Sequence, residues 1–164
     1  MTSTMRFDRW EDSTGALIAE GSAPRGVVTT TAGGTNNRGY YKASATTTVT
    51  TGTVDPTGFS MTFNAVAGRL YRASITGYMD ASANSVRYDL RFTDASNNAL
   101  WYMQDQTNSG WSRKSFTYNY IFTGSGSTTI KLRVLYVDGT LYFGGTPFNA
   151  QQAPTMLIED IGPA

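Results

Sequence analysis

Trp101 and Tyr102 lead into Met103, Gln104, Asp105 and Gln106, and Trp111 follows a short polar run. These residue types can do binding chemistry. A ring stacks on the apolar face of a sugar, and amides and carboxylates beside it hydrogen-bond the hydroxyls. Neighbours in a strand point to opposite faces. One of Trp101 and Tyr102 must therefore look away from a core. Subunit interfaces favour the same rings. Trp101, Tyr102 and Trp111 are thus candidates either for glycan contact or for contact with another subunit.

Other chemistries find less support. The 164 residues contain no cysteine and no histidine. That excludes disulfides, zinc sites built on those residues, and Ser-His-Asp or Cys-His nucleophile systems. Glycoside hydrolysis needs two carboxylates facing one bond. Five of the 12 acidic residues, Asp12, Asp55, Asp80, Asp94 and Asp138, sit in turn-forming contexts. Glu159 and Asp160 are adjacent, so a strand would send them to opposite faces. Neither "DASANS" nor "DASNNA" has the glycine and glutamate spacing of a calcium loop. The Gly-rich stretches at 32–34 and 124–126 lack the lysine of a phosphate loop and read as linker and turn. The expectation is a binding protein, not an enzyme, with no catalytic residue, cofactor or metal.

The net charge is +1, with 13 basic residues scattered along the chain. No basic stripe offers a nucleic-acid footprint. No apolar run approaches the roughly 18–20 residues of a membrane-spanning helix. The first 15 residues lack a basic-then-apolar signal pattern, so the expectation is synthesis in the cytoplasm, with release by lysis or a dedicated apparatus if the protein leaves its cell.

The elements that would carry these rings are strands. From Tyr40 onward strand signals recur with turn signals between them. Phe59, Met61 and Phe63 alternate with Ser60, Thr62 and Asn64. Tyr71, Ala73, Ile75, Gly77 and Met79 alternate with Arg72, Ser74, Thr76 and Tyr78. Val86, Tyr88, Leu90 and Phe92 are placed inward, with Arg87, Asp89, Arg91 and Thr93 outward. Residues 115–138 read as a hairpin, with Phe116, Tyr118, Tyr120 and Phe122 and then Ile130, Leu132, Val134 and Tyr136 on its apolar face. Stacking two such faces buries them. The fold class is all-β: seven or eight antiparallel strands in a β-sandwich of jelly-roll type, with an N-terminal extended arm and hairpin. The division is 1–38 for the arm and linker and 39–164 for the sandwich. The arm hairpin turns at Ser13-Thr14-Gly15 and offers Phe7, Trp10, Leu17 and Ile18 as assembly anchors, with a linker after it.

Thr57-Gly58, Phe63, Ala65-Val66-Ala67-Gly68-Arg69, Tyr71-Arg72 and the closing Glu159-Asp160-Ile161-Gly162-Pro163 resemble a module of virion proteins from tailed bacteriophages, especially those of actinobacteria. The resemblance covers about residues 40–164 and, loosely, the arm. It implies a β-sandwich subunit on the particle exterior, either a minor tail protein or a capsid decoration protein. Its partners would be other virion proteins and copies of itself, with a trimer as one form and host glycan as a second kind of partner. It supplies no catalytic residue.

Overall fold

The computed structural model describes residues 9–11, 17–20, 26–27, 30–32, 39–50, 52–82, 85–107, 113–136, 138–145, 147 and 150–164. Its strands are β1 (Arg9–Glu11), β2 (Leu17–Glu20), β3 (Gly26–Val27), β4 (Thr30–Ala32), β5 (Tyr40–Lys42), β6 (Thr47–Val49), β7 (Thr53–Val54), β8 (Ser60–Ala65), β9 (Arg69–Ala81), β10 (Arg87–Thr93), β11 (Ala99–Gln106), β12 (Lys114–Thr123), β13 (Gly126–Tyr136), β14 (Leu141–Phe143) and β15 (Thr155–Pro163). The described residues form no helix. The strands build two antiparallel sheets packed as a sandwich, plus the separate β1–β2 pair. One sheet runs β11-β10-β13-β8-β4, with β7 also on β13. The other runs β3-β15-β9-β14-β6, with β12 also on β9 and β5 on β15. In the first sheet β13 lies between β8 and β10, while β12 crosses to β9. These are the crossovers of a jelly roll. The strand number exceeds seven or eight because short elements such as β5, β6, β7 and β14 carry too few residues to show a periodicity.

Alternation predicts the buried side chains well. Phe59, Met61, Phe63, Tyr71, Ala73, Ile75, Met79, Val86, Tyr88, Leu90 and Phe92 all belong to one core. Phe116 and Phe122 are buried, and Tyr118 and Tyr120 pack half-buried against the same core. The stretch 115–138, however, is not a hairpin. β12 pairs with β9 in one sheet, and β13 pairs with β10 and β8 in the other. The Gly124–Gly126 link carries the chain between layers, with Gly126 at φ 64°. Two strands with apolar alternate faces can lie side by side or face to face, and periodicity does not separate these cases. Face-to-face packing lets Phe122 meet Phe63 across the core, with ring centroids 6.3 Å apart, while Tyr71, its neighbour in the same sheet, lies 5.7 Å away.

Two residues expected to be exposed and one expected in a turn need correction. Asp89 and Thr93 are buried, and Asp80 lies inside β9 and not in a turn. β10 is an interior strand, flanked by β11 and β13. Asp80 is tolerated because Arg113 stands 3.4 Å away. Asp94 does act as a turn residue: its carboxylate accepts from Ser96 N–H and Asn98 N–H at 2.8 and 2.9 Å.

In the N-terminal stretch, β1 and β2 pair across the expected turn, with Trp10 opposite Ala19. Thr30–Ala32, read as linker from sequence, pairs with β8, and Gly26–Val27 pairs with β15. Two short strands on the arm side of residue 38 thus border the two sheets. Phe7 lies outside the described residues.

The residues that carry the phage resemblance come together. β9 and β15 run antiparallel, with Arg72 opposite Glu159 and Arg69 opposite Pro163. Arg69 donates two hydrogen bonds to Asp160, at 2.5 and 2.7 Å, and Arg72 donates to Glu159 at 2.7 Å. Asp160 also accepts from Gly162 N–H at 3.0 Å. The hydrogen bond to Asp160 is the main reason the Arg69 guanidinium pKa sits above its ordinary value. Glu159 and Asp160 do point to opposite faces, each closed by its own arginine. Gly58, in the same set, needs its φ of +86°, and a Cβ there would strike the Tyr41 ring.

Candidate binding face

β10 and β11 form a true hairpin, turning at 94–98, with Arg91 opposite Tyr102 and Asp89 opposite Gln104. Strand alternation settles the Trp101–Tyr102 pair. Trp101 turns inward onto Phe92 and Tyr118, at 5.7 and 5.9 Å between centroids. Tyr102 turns outward and is 61% exposed. Trp111 lies outside the described residues. Trp10, Leu17 and Ile18 are placed by backbone alone, on the β1–β2 pair.

Around Tyr102 the sheet supplies polar groups. The Arg91 guanidinium lies over the Tyr102 ring, 5.8 Å from its centroid. Arg91 Nη2 also donates to Asp89 Oδ2 at 2.8 Å. A cleft of about 340 Å³ beside them is lined by Arg87, Tyr88, Asp89, Gln104, Asp105 and Gln106. Farther out, Arg133 pairs with Asp55 at 2.6 Å, and Lys131 donates to Ala95 O and Asn97 Oδ1, both at 2.9 Å. The charges on this face are thus largely matched. Sequence reading missed Asp89 and Arg91 as neighbours of Tyr102. The available signal was their spacing of two, which puts both on one face of a strand.

A second cluster closes the sandwich rim behind this face. Asp105 accepts from the Tyr88 hydroxyl at 3.1 Å, the Tyr118 hydroxyl at 3.3 Å and the Lys114 ammonium. Gln106 N–H adds a bond to its other oxygen at 2.7 Å. The cluster ties β10 and β11 of one sheet to β12 of the other. Burial by itself would raise the Asp105 pKa. The Lys114 hydrogen bond, Gln106 N–H and the Tyr88 hydroxyl outweigh it and hold the carboxyl below its ordinary value. Burial first, then the adjacent Asp105 charge, pushes Tyr118 up to about 12. Burial also pushes Tyr88 up. The bonds to Asp105 close the rim, and burial is the main cause of the upward shift of both phenols.

The Asp105 direction sets a pH prediction. A depressed folded pKa contributes stability above the unfolded value of about 3.9, and that contribution drains as pH falls through the lower folded value. Thermal melts between about pH 2 and 5 should therefore show a steeper fall for the native chain than for Asp105→Asn. Parallel curves would remove Asp105 from the acid response.

Among the described residues, no group of three or more acidic side chains could hold a metal ion, and no helix is long and apolar enough to cross a membrane. No family profile and no curated protein matches the chain. Among solved structures it is similar to Eiger TNF from S. frugiperda, at 11% identity over 85% of this chain and 92% of that one, with a TM-score of 0.49. It is similar to a chain of infectious bursal disease virus, Gx strain, at 12% identity over 76% and 36%, with a TM-score of 0.42. It is also similar to a carbohydrate binding module from Cellvibrio mixtus lichenase 5A, determined with cellotriose, at 10% identity over 82% and 95%, with a TM-score of 0.39. This chain spans about a third of the virus chain's length.

Proposed function

We propose that this chain is an external accessory subunit of a bacteriophage particle, a minor tail or capsid decoration protein. It works by binding other virion proteins and copies of itself, not by turnover. The observation that carries this reading is the meeting of the two resembling stretches. They lie about ninety residues apart in sequence, yet β9 and β15 set them side by side, joined by Arg69–Asp160 and Arg72–Glu159. Their pairing supports reading the two stretches together. The N-terminal segment attaches the subunit, with Phe7, Trp10, Leu17 and Ile18 burying apolar area on a neighbour.

Purified particles treated with protease before and after disruption test this. The reading expects the chain among the particle proteins, and peptides from residues 39–164 released from intact particles. A chain absent from particles, or one cut only after disruption, contradicts it.

A further inference from the structure

Three buried polar atoms without a hydrogen-bond partner lie on the outward side of one strand: Asp89 Oδ1, Arg91 Nε and Thr93 Oγ1. Alternation puts all three residues on the β10 face that also carries Tyr102 across the hairpin, and Asp89 lines the adjoining cleft. Asp89 and Thr93 are 4% and 1% exposed, so water does not simply bathe them. An unmade hydrogen bond in a buried site is unfavourable, and such atoms point to a partner that supplies it.

Their chemistry selects the partner. An ionised carboxylate oxygen only accepts, a guanidinium nitrogen only donates, and a hydroxyl does both. An anionic ligand would satisfy Arg91 and be repelled by Asp89 and Asp105. A cationic ligand would meet the reverse difficulty. A neutral hydroxyl-rich ligand satisfies all three, since each hydroxyl donates and accepts. The exposed Tyr102 ring beside them supplies a flat apolar surface, which such a ligand needs for its C–H face. Gln104, opposite Asp89 and exposed, adds an amide that both donates and accepts.

We propose that the outer face of the β10–β11 hairpin is a binding site for a neutral glycan. The sugar lies on Tyr102, the Arg91 side chain moves off the ring, and Asp89, Arg91, Thr93 and Gln104 bond its hydroxyls. The Arg91 side chain is 36% exposed, and its contacts are the Asp89 carboxylate and the Tyr102 ring, both within the proposed site, so its displacement is local. The site does not depend on where the chain is housed, and it stands or falls separately from the virion reading.

The test is titration of the full chain with neutral oligosaccharides and with uronic-acid oligosaccharides of equal length, followed by tyrosine-resolved NMR. Saturable binding of a neutral member that shifts the Tyr102 signals is expected. Tyr102→Ala should weaken it about tenfold or more. Gln104→Ala, also at an exposed position, should weaken it severalfold while the melting temperature stays unchanged. Silence across all neutral members overturns the proposal. So does tighter binding of the acidic set, unchanged affinity in both variants, or a Tyr102 signal shielded by a second copy of the chain.

Discussion

Phe92→Ala is expected to cost about 3–5 kcal/mol, the range for deleting a large aromatic side chain from a packed interior. Phe92 is wholly buried and sits where three strands converge. It belongs to β10, meets Trp101 of β11 at 5.7 Å, and stacks on Tyr120 of β12 at 6.2 Å across the sandwich. No neighbour can collapse into the space without leaving its own contacts. Folded domains have about 5–15 kcal/mol in total, so this one change removes a large part of the margin. Chemical denaturation with an unchanged slope and a lowered midpoint checks it. A loss below about 1 kcal/mol would mean that the sheets do not meet at Phe92. The same change should loosen Trp101 and, through the shared backbone, the outward Tyr102.

Truncation at two points gives the second large effect. A chain starting at residue 25 keeps β3 and β4, whereas a chain starting at residue 39 loses both. The longer form should stay folded with its sheet borders covered, and should fail to join particles. The shorter form uncovers β8 at Thr62–Phe63 and β15 at Glu159–Asp160. Each lost ladder bond costs about 0.5–1.5 kcal/mol. Unpaired edges also recruit other strands. The chain beginning at residue 39 is therefore expected to melt several degrees lower and to self-associate, as read by scanning calorimetry and light scattering. If both truncated chains behave alike, the β3 and β4 pairings carry no weight, and the division at residue 38 is also the stability boundary.

Some of this was legible in the residues. Strict alternation in Val86–Thr93 and Phe59–Asn64 marks strands with one apolar face, and the structure buries those faces. Trp101 and Tyr102 could be assigned to opposite faces because neighbours in a strand must diverge. Layer assignment was not legible. Phe116–Phe122 and Ile130–Val134 show the same period whether they share a sheet or oppose one another. The positive φ at Gly126 is a property of backbone that the one-letter code only permits. Alternation gives the direction of Asp89 but not its exposure, because β10 is flanked on both sides by strands that lie apart from it in sequence or across a turn, and Arg91 bonds its carboxylate. Asp80 was assigned to a turn from its residue type, and its buried pairing with Arg113 depends on a contact 33 residues away. The Asp105 rim cluster draws on three strands, so no local window contains it. Such long-range pairings are where a single sequence runs out.

The central claim is that the sandwich stands on the outside of a phage particle, held there by its N-terminal segment. A density map of the intact particle tests it most directly. The account predicts a two-layered β domain on the outer surface, with β11 facing away from the shell or tube and the residues before Gly26 running into a neighbouring protein. Density for this chain in the particle interior, or a sandwich seated through its β10–β11 face with the N-terminal residues free in solvent, would contradict it.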